Sequence, residues 1–215
     1  MPHVKLARKS TDTDMTPFVD IAFLILSFFI MATKFKPAEP VKVTTPNSVS
    51  SDILKEADAM LITLDKDNKV YISISVKSDR GKLDEIIQGI NTTRNVGLTP
   101  AEMANFKDAE IVGVPFSQLK GLLALPKAEQ KKVTQAGIPV LDTLNNELIW
   151  WVAEANKAFA GRRFLYLIKG DNDTKYPTFE AVINALRKNE IFKYNLITSQ
   201  EGAPEGTELF KERNK

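Results

Sequence analysis

The chain has 215 residues, with 29 basic and 27 acidic side chains, one histidine and no cysteine, for a net charge of +2. That near-balance excludes the basic excess of a nucleic-acid binder, and the missing cysteines exclude disulfides and thiolate metal sites. His3 alone builds no histidine-rich site, so neither a metal nor a cofactor is expected.

After a polar tail over residues 1–14, the stretch Met15–Ala32 reads MTPFVDIAFLILSFFIMA, whose one charge is Asp20. As a helix these 18 positions reach about 27 Å, close to the hydrocarbon thickness of a bilayer. Its Phe, Ile, Leu and Val residues together favour insertion by roughly 3–6 kcal/mol, against about 3 kcal/mol opposed by a mid-span Asp. The balance permits a transmembrane helix over residues 15–33 but gives a mere anchor no reason to carry the acid. An ionisable residue there points to function. At 3.6 residues per turn Thr16, Asp20, Ser27 and Met31 fall within about 40° of one line, beside Phe23 and Leu24. Pro17 suits a first helical turn, and Thr16 is the expected N-cap. A passive signal-anchor with one stray acid is the plainer alternative.

The run TPFVDIAFLILSFFIM resembles the signature of the ExbD/TolR biopolymer-transport family, in which Thr-Pro, two residues and an Asp open a single membrane helix. The resemblance places Asp20 on the proton-carrying aspartate and Thr16 and Pro17 on the Thr-Pro, with Ser27 lining the same polar face. Asp14 and Ala22 stand where the family more often has Asn and a larger apolar side chain. Lysines and arginines flank the helix almost equally, so charge does not decide orientation. A short tail before the helix and about 180 residues after it fit a cytoplasmic N-terminus and a periplasmic C-terminal part in the inner membrane, as the resemblance implies. It also implies two copies of the chain inside a ring of a multi-helix ExbB/TolQ-like partner. A TonB-like or TolA-like effector would receive the motion in the periplasm.

Residues 34–57 contain Pro37, Pro40 and Pro46 among Ser, Thr and Asn, the composition of an extended linker. Val41 and Val43 alternate with polar residues and suggest a short edge strand that pairs with a sheet or contacts a partner. Residues 58–200 then read as an α+β domain. Ile62 and Leu64, a turn at Asp65–Lys69, and Val70, Ile72 and Ile74 form a hairpin. Leu83, Ile86, Ile87 and Ile90 have helical spacing. Phe164–Ile168 reads as a buried strand, Phe179–Leu186 as a helix and Asn195–Thr198 as a last strand. The expected fold is thus a single transmembrane helix followed by a small sheet with helices on one face, in the order β-β-α-[helical insertion]-β-α-β. It is similar to the periplasmic domain of the ExbD/TolR family.

The insertion, about 92–160, is longer than that family's usual core. Thr99-Pro100-Ala101-Glu102 has the form of a capping box, and Phe116, Leu119, Leu122 and Leu123 mark a short helix. A longer helix is expected from Asp142 to Ala160, with Leu141, Leu144, Leu148 and Trp151 on its core face and Gly161 as its stop. Trp150 and Trp151 cannot share one face, so one is free to contact a partner. Gly170-Asp171-Asn172-Asp173-Thr174 after a strand resembles the DxDxT of haloacid-dehalogenase-type phosphotransferases. Too little chain follows to complete such a site. A solvated loop with an Asp capping the next helix is expected, and no catalytic residue. A flexible tail over 201–215 closes the chain. The competing function is a membrane-anchored binding module with a passive helix.

Overall fold

A computed structural model describes residues 15–32, 41–48, 58–142 and 145–200. The chain divides into two compact units, Met1–Glu39 and Pro40–Lys215.

The first unit contains α1, Thr16–Ala32. It begins one residue after the expected start at Met15, whose carbonyl accepts from Phe18 N–H and Val19 N–H, each at 3.1 Å, and the expected last residue, Thr33, lies outside the described residues. Thr16 therefore lies inside the first turn and is not the N-cap. No helix among the described residues is long and apolar enough to cross a membrane.

The second unit is built on a mixed four-stranded sheet in the order β3-β2-β4-β5, formed by β2 (Ala59–Leu64), β3 (Val70–Ser75), β4 (Leu165–Gly170) and β5 (Asn195–Ile197). Between β3 and β4 lie α2 (Gly81–Arg94), α3 (Pro100–Phe106), α4 (Phe116–Leu123), α5 (Lys127–Gln130) and α6 (Leu148–Ala158). The helix α7 (Tyr176–Lys188) connects β4 to β5. The expected α+β order is therefore present. β2 pairs antiparallel with β3 and parallel with β4, and β4 pairs parallel with β5.

The hairpin turns where Asn68 adopts φ 61°, while Asp65 Oδ1 accepts the N–H of Asp67 and of Lys69, each at 2.9 Å. Asn tolerates that left-handed conformation, so the turn is written locally. Met60, Ile62, Leu64, Val70, Ile72, Tyr166 and Ile168 alternate onto one face, where Ile86, Ile87, Ile90, Leu148, Val152 and Leu186 pack on them in a single core. Leu61, Leu165 and Leu167, on the opposite face, are only half-buried, so Phe164–Ile168 is not the fully buried strand its apolar run suggests.

The segment 92–160 supplies much of this core. Trp151 is fully buried, stacked 5.7 Å from Phe106 and tilted against Phe116 at 5.7 Å. Val112 bridges Ile72 antiparallel, and Ile138 N–H donates to the Val70 carbonyl at 2.8 Å. These backbone bonds cover the outer edge of β3, which would otherwise expose unpaired amides. The capping box at Thr99 and Glu102 is complete. The expected helix from Asp142 begins only at Leu148. Glu147 N–H instead bonds the Pro139 carbonyl at 2.9 Å, and its carboxylate accepts Phe116 N–H at 2.7 Å. Leu141 is 62% exposed instead of core-facing, and Leu144 lies outside the described residues. The helix ends at Ala158, two residues before the expected Ala160, with Phe159 as its C-cap, and Gly161, at φ 76°, follows two residues later.

Candidate functional site

α1 is apolar around its whole circumference except for one polar line. Its Phe, Ile, Leu, Val and Met side chains from Phe18 to Met31 are each between 52% and 83% exposed. An apolar surface of that extent needs lipid or a partner. Thr16, Asp20 and Ser27, in about the first, second and fourth turns, stand on one face of it. A carboxylate set among such side chains loses its hydration unless another polar group or a water meets it. The three polar residues expected to act together are therefore brought together by helical spacing alone. Pro17 sits in the first turn, where a missing N–H leaves no bond unmade.

The other expected contact residues belong to the second unit. The segment 41–48 docks along its own domain, with Val41 and Val43 half-buried and Lys42 and Thr44 exposed. The expected strand at Val41 and Val43 is displaced to β1 (Asn47–Ser48), which pairs in parallel with β6 (Ser199–Gln200). The shift has a cause in the hydrogen bonds. Thr44 N–H donates to Asp171 Oδ2 at 2.7 Å, and the Thr44 carbonyl accepts Asn172 N–H at 2.9 Å. Beyond Pro46, whose carbonyl accepts Ser199 N–H at 2.9 Å, the chain is free to enter the ladder.

Asp171 therefore acts as a latch. Its carboxylate is held below the ordinary range, first by Asp173 N–H and next by Thr44 N–H, against a small opposing effect of desolvation. No Asp caps the following helix, contrary to expectation. The N-cap of α7 is Lys175, whose N–H donates to Asn68 Oδ1 at 2.7 Å. With its oxygens so engaged Asp171 is poorly suited to act as a nucleophile, and no group of metal-ligating side chains occurs among the described residues.

Of the two tryptophans, Trp151 is excluded from partner contact by full burial, whereas Trp150 is 37% exposed. The Arg94 guanidinium lies 5.1 Å from the Trp150 ring centroid and 5.5 Å from that of Phe116. Sequence reasoning missed the Asp171 latch because its two ends lie 127 residues apart. It also missed Glu147, whose pKa burial raises despite the Phe116 N–H bond and the nearby Arg94 charge.

Residues 7–201 match the family model described as Biopolymer transport protein ExbD/TolR. No curated protein and no solved structure matches the chain.

Proposed function

The chain belongs to the ExbD/TolR family, which implies a part in energy transduction for biopolymer transport, and from that premise we propose that it is the proton-carrying subunit of an inner-membrane motor. The observation that carries the proposal is Asp20, the one acid of a helix whose apolar side chains are exposed all round. In this reading α1 is a transmembrane helix with a cytoplasmic N-terminus and a periplasmic C-terminal domain. Its seventeen described residues rise about 26 Å, a few Å short of a hydrocarbon core of about 30 Å. Local thinning of the lipid absorbs such a mismatch at a fraction of a kcal/mol per Å.

Asp20 takes up and releases protons as they pass from periplasm to cytoplasm. In hydrocarbon its ionised form needs a polar group on an ExbB/TolQ-like ring, or a water pocket, which ties proton occupancy to helix position. Thr16 and Ser27 polarise the same path. Two copies of the chain act together, and a TonB-like or TolA-like effector takes up the motion through the periplasmic domain, where Trp150 offers a contact. The work is mechanical, without enzymatic chemistry.

Extraction from membranes tests the assembly. A motor subunit comes out of detergent in complex with a polytopic partner, and Asp20→Asn, which keeps shape and hydrogen bonding, comes out the same way. A chain that isolates alone as a monodisperse protein contradicts the motor and favours a binding module with a passive anchor.

A further inference from the structure

A cleft of about 360 Å³ opens on the second unit between the docked segment, the hairpin turn and the loop after α5. That volume lies within the roughly 300–1,000 Å³ of small-molecule sites. It is lined by Val41 and Lys42 of the docked segment, by Asp65, Lys66 and Tyr71 of the hairpin, and by residues 130–135. Four lysines, at 42, 66, 131 and 132, line it against the single carboxylate of Asp65.

The acceptors of Asp65 and Gln135 in this cleft are already used. Asp65 accepts from Asp67 N–H, Lys69 N–H and the Tyr71 hydroxyl, the last at 3.1 Å. Gln135 Oε1 accepts Gly113 N–H and its Nε2 donates to the Ile111 carbonyl, while Gln130 Nε2 donates to the Leu125 carbonyl. Lys131 is neutralised by Glu110 at 2.7 Å. Lys42, Lys66 and Lys132 have no ion pair among the described residues, although Lys66 is near enough to Asp171 to help lower its pKa. The charge lining the cleft is therefore mainly cationic and its single carboxylate is already hydrogen-bonded, the pattern of a site for an oxyanion and not for a cation. Lysine supplies point charges that suit phosphate, and three of them on three separate segments suit a group carrying more than one charge.

We propose that this cleft binds a multiply charged phosphate group, such as a diphosphate or a phosphate ester, between Lys42, Lys66 and Lys132. The inference is independent of proton carriage by Asp20. Because Lys42 belongs to the docked segment, an anion in the cleft holds that segment to the domain, and docking in turn strengthens anion binding. A phosphate of this kind is either free in solution or part of a lipid headgroup.

Full-length protein in phosphatidylcholine nanodiscs, titrated with pyrophosphate, tests the site. The expected result is saturable binding, with amide shifts at Lys42, Lys66 and Thr134 together. Lys66→Gln and Lys132→Gln each weaken it about three- to tenfold, whereas Lys188→Gln on α7 leaves it unchanged. The same lysine-dependent shifts in nanodiscs that contain phosphatidic acid, a phosphate monoester, without pyrophosphate, identify a headgroup as the source; their absence there identifies a free phosphate. No saturable binding below about 10 mM in either lipid overturns the proposal, as does binding that Lys66→Gln and Lys132→Gln leave intact.

Discussion

Two adjacent residues, Trp150 and Trp151, make opposite demands on the fold, and truncating each in turn measures how far the segment 92–160 belongs to the core. Trp151 is fully buried between Phe106 and Phe116. A tryptophan buries about 150–250 Å², worth roughly 4–6 kcal/mol at about 25 cal/mol per Å². Its Nε1 has no hydrogen-bond partner, which offsets part of that gain. Trp151→Ala should therefore destabilise by about 4 kcal/mol, within the range of roughly 3–5 kcal/mol for large aromatic truncations. Trp151→Phe should be milder, since it removes the unpartnered donor and keeps a stacking ring. Trp150→Ala loses one exposed face and a cation–π contact to Arg94, worth about 0.5–1 kcal/mol. Urea unfolding of the full-length chain in detergent, followed by circular dichroism, reads the difference. Fluorescence does not serve, because these are the only two tryptophans. At about 2 kcal/mol per M of urea, Trp151→Ala moves the midpoint by about 2 M and Trp150→Ala by less than about 0.5 M. Equal shifts, or less than about 1 kcal/mol at Trp151, would refute the placement of this segment in the core.

Other predictions follow from close packing and from charge. A methyl group at Gly89 would run into the carboxyl group of the buried Glu154, so Gly89→Ala should lower stability by about 1–3 kcal/mol despite its better helix propensity. An unchanged urea midpoint contradicts the close approach of α2 and α6. Burial raises the pKa of Glu147 above its ordinary 4.5, so the folded state binds the proton more tightly and stability falls as pH rises from about 4.5 through the folded value. Glu147→Gln should remove that slope, and a slope that persists in urea melts from pH 4 to 7 argues against it. Asp58 behaves oppositely. Desolvation pushes its pKa up, but hydrogen bonds from the Ser78 hydroxyl and the Lys77 and Ser78 amides, with Arg162, hold it below 3.8. Its contribution is present above about pH 3.8 and lost as pH falls through the lower folded value. Asp58→Asn should flatten that acid limb.

The parts of the molecule legible in the sequence are those written by local spacing. The hairpin turn at Asp65–Lys69, the face of Leu83, Ile86, Ile87 and Ile90, the capping box at Thr99 and the polar line of α1 each need only neighbouring residues. Where a distant group competes, local reading fails. The helix expected from Asp142 is shortened because Glu147 is drawn to Pro139 and Phe116. The strand expected at Val41 and Val43 moves to Asn47–Ser48 because Asp171 and Asn172 take the backbone of Thr44. The lysine cleft joins residues from three distant stretches, which no local pattern connects. Asp20 needed no such partner. Its meaning lies in the contrast with its immediate neighbours.

Proton carriage by Asp20 is tested most directly by energised uptake in cells that carry Asp20→Asn. The amide keeps the shape and hydrogen-bonding capacity of the acid but neither gains nor loses a proton near neutral pH. Loss of the mid-span charge also favours membrane insertion, by up to about 3 kcal/mol, so failed integration would not explain a defect. The measurement is uptake of a large substrate that requires energised outer-membrane transport, alongside membrane levels of the chain and its ring partner. The account predicts normal levels, normal assembly and no uptake, with Ser27→Ala only mildly impaired. Wild-type uptake by correctly assembled Asp20→Asn would contradict it.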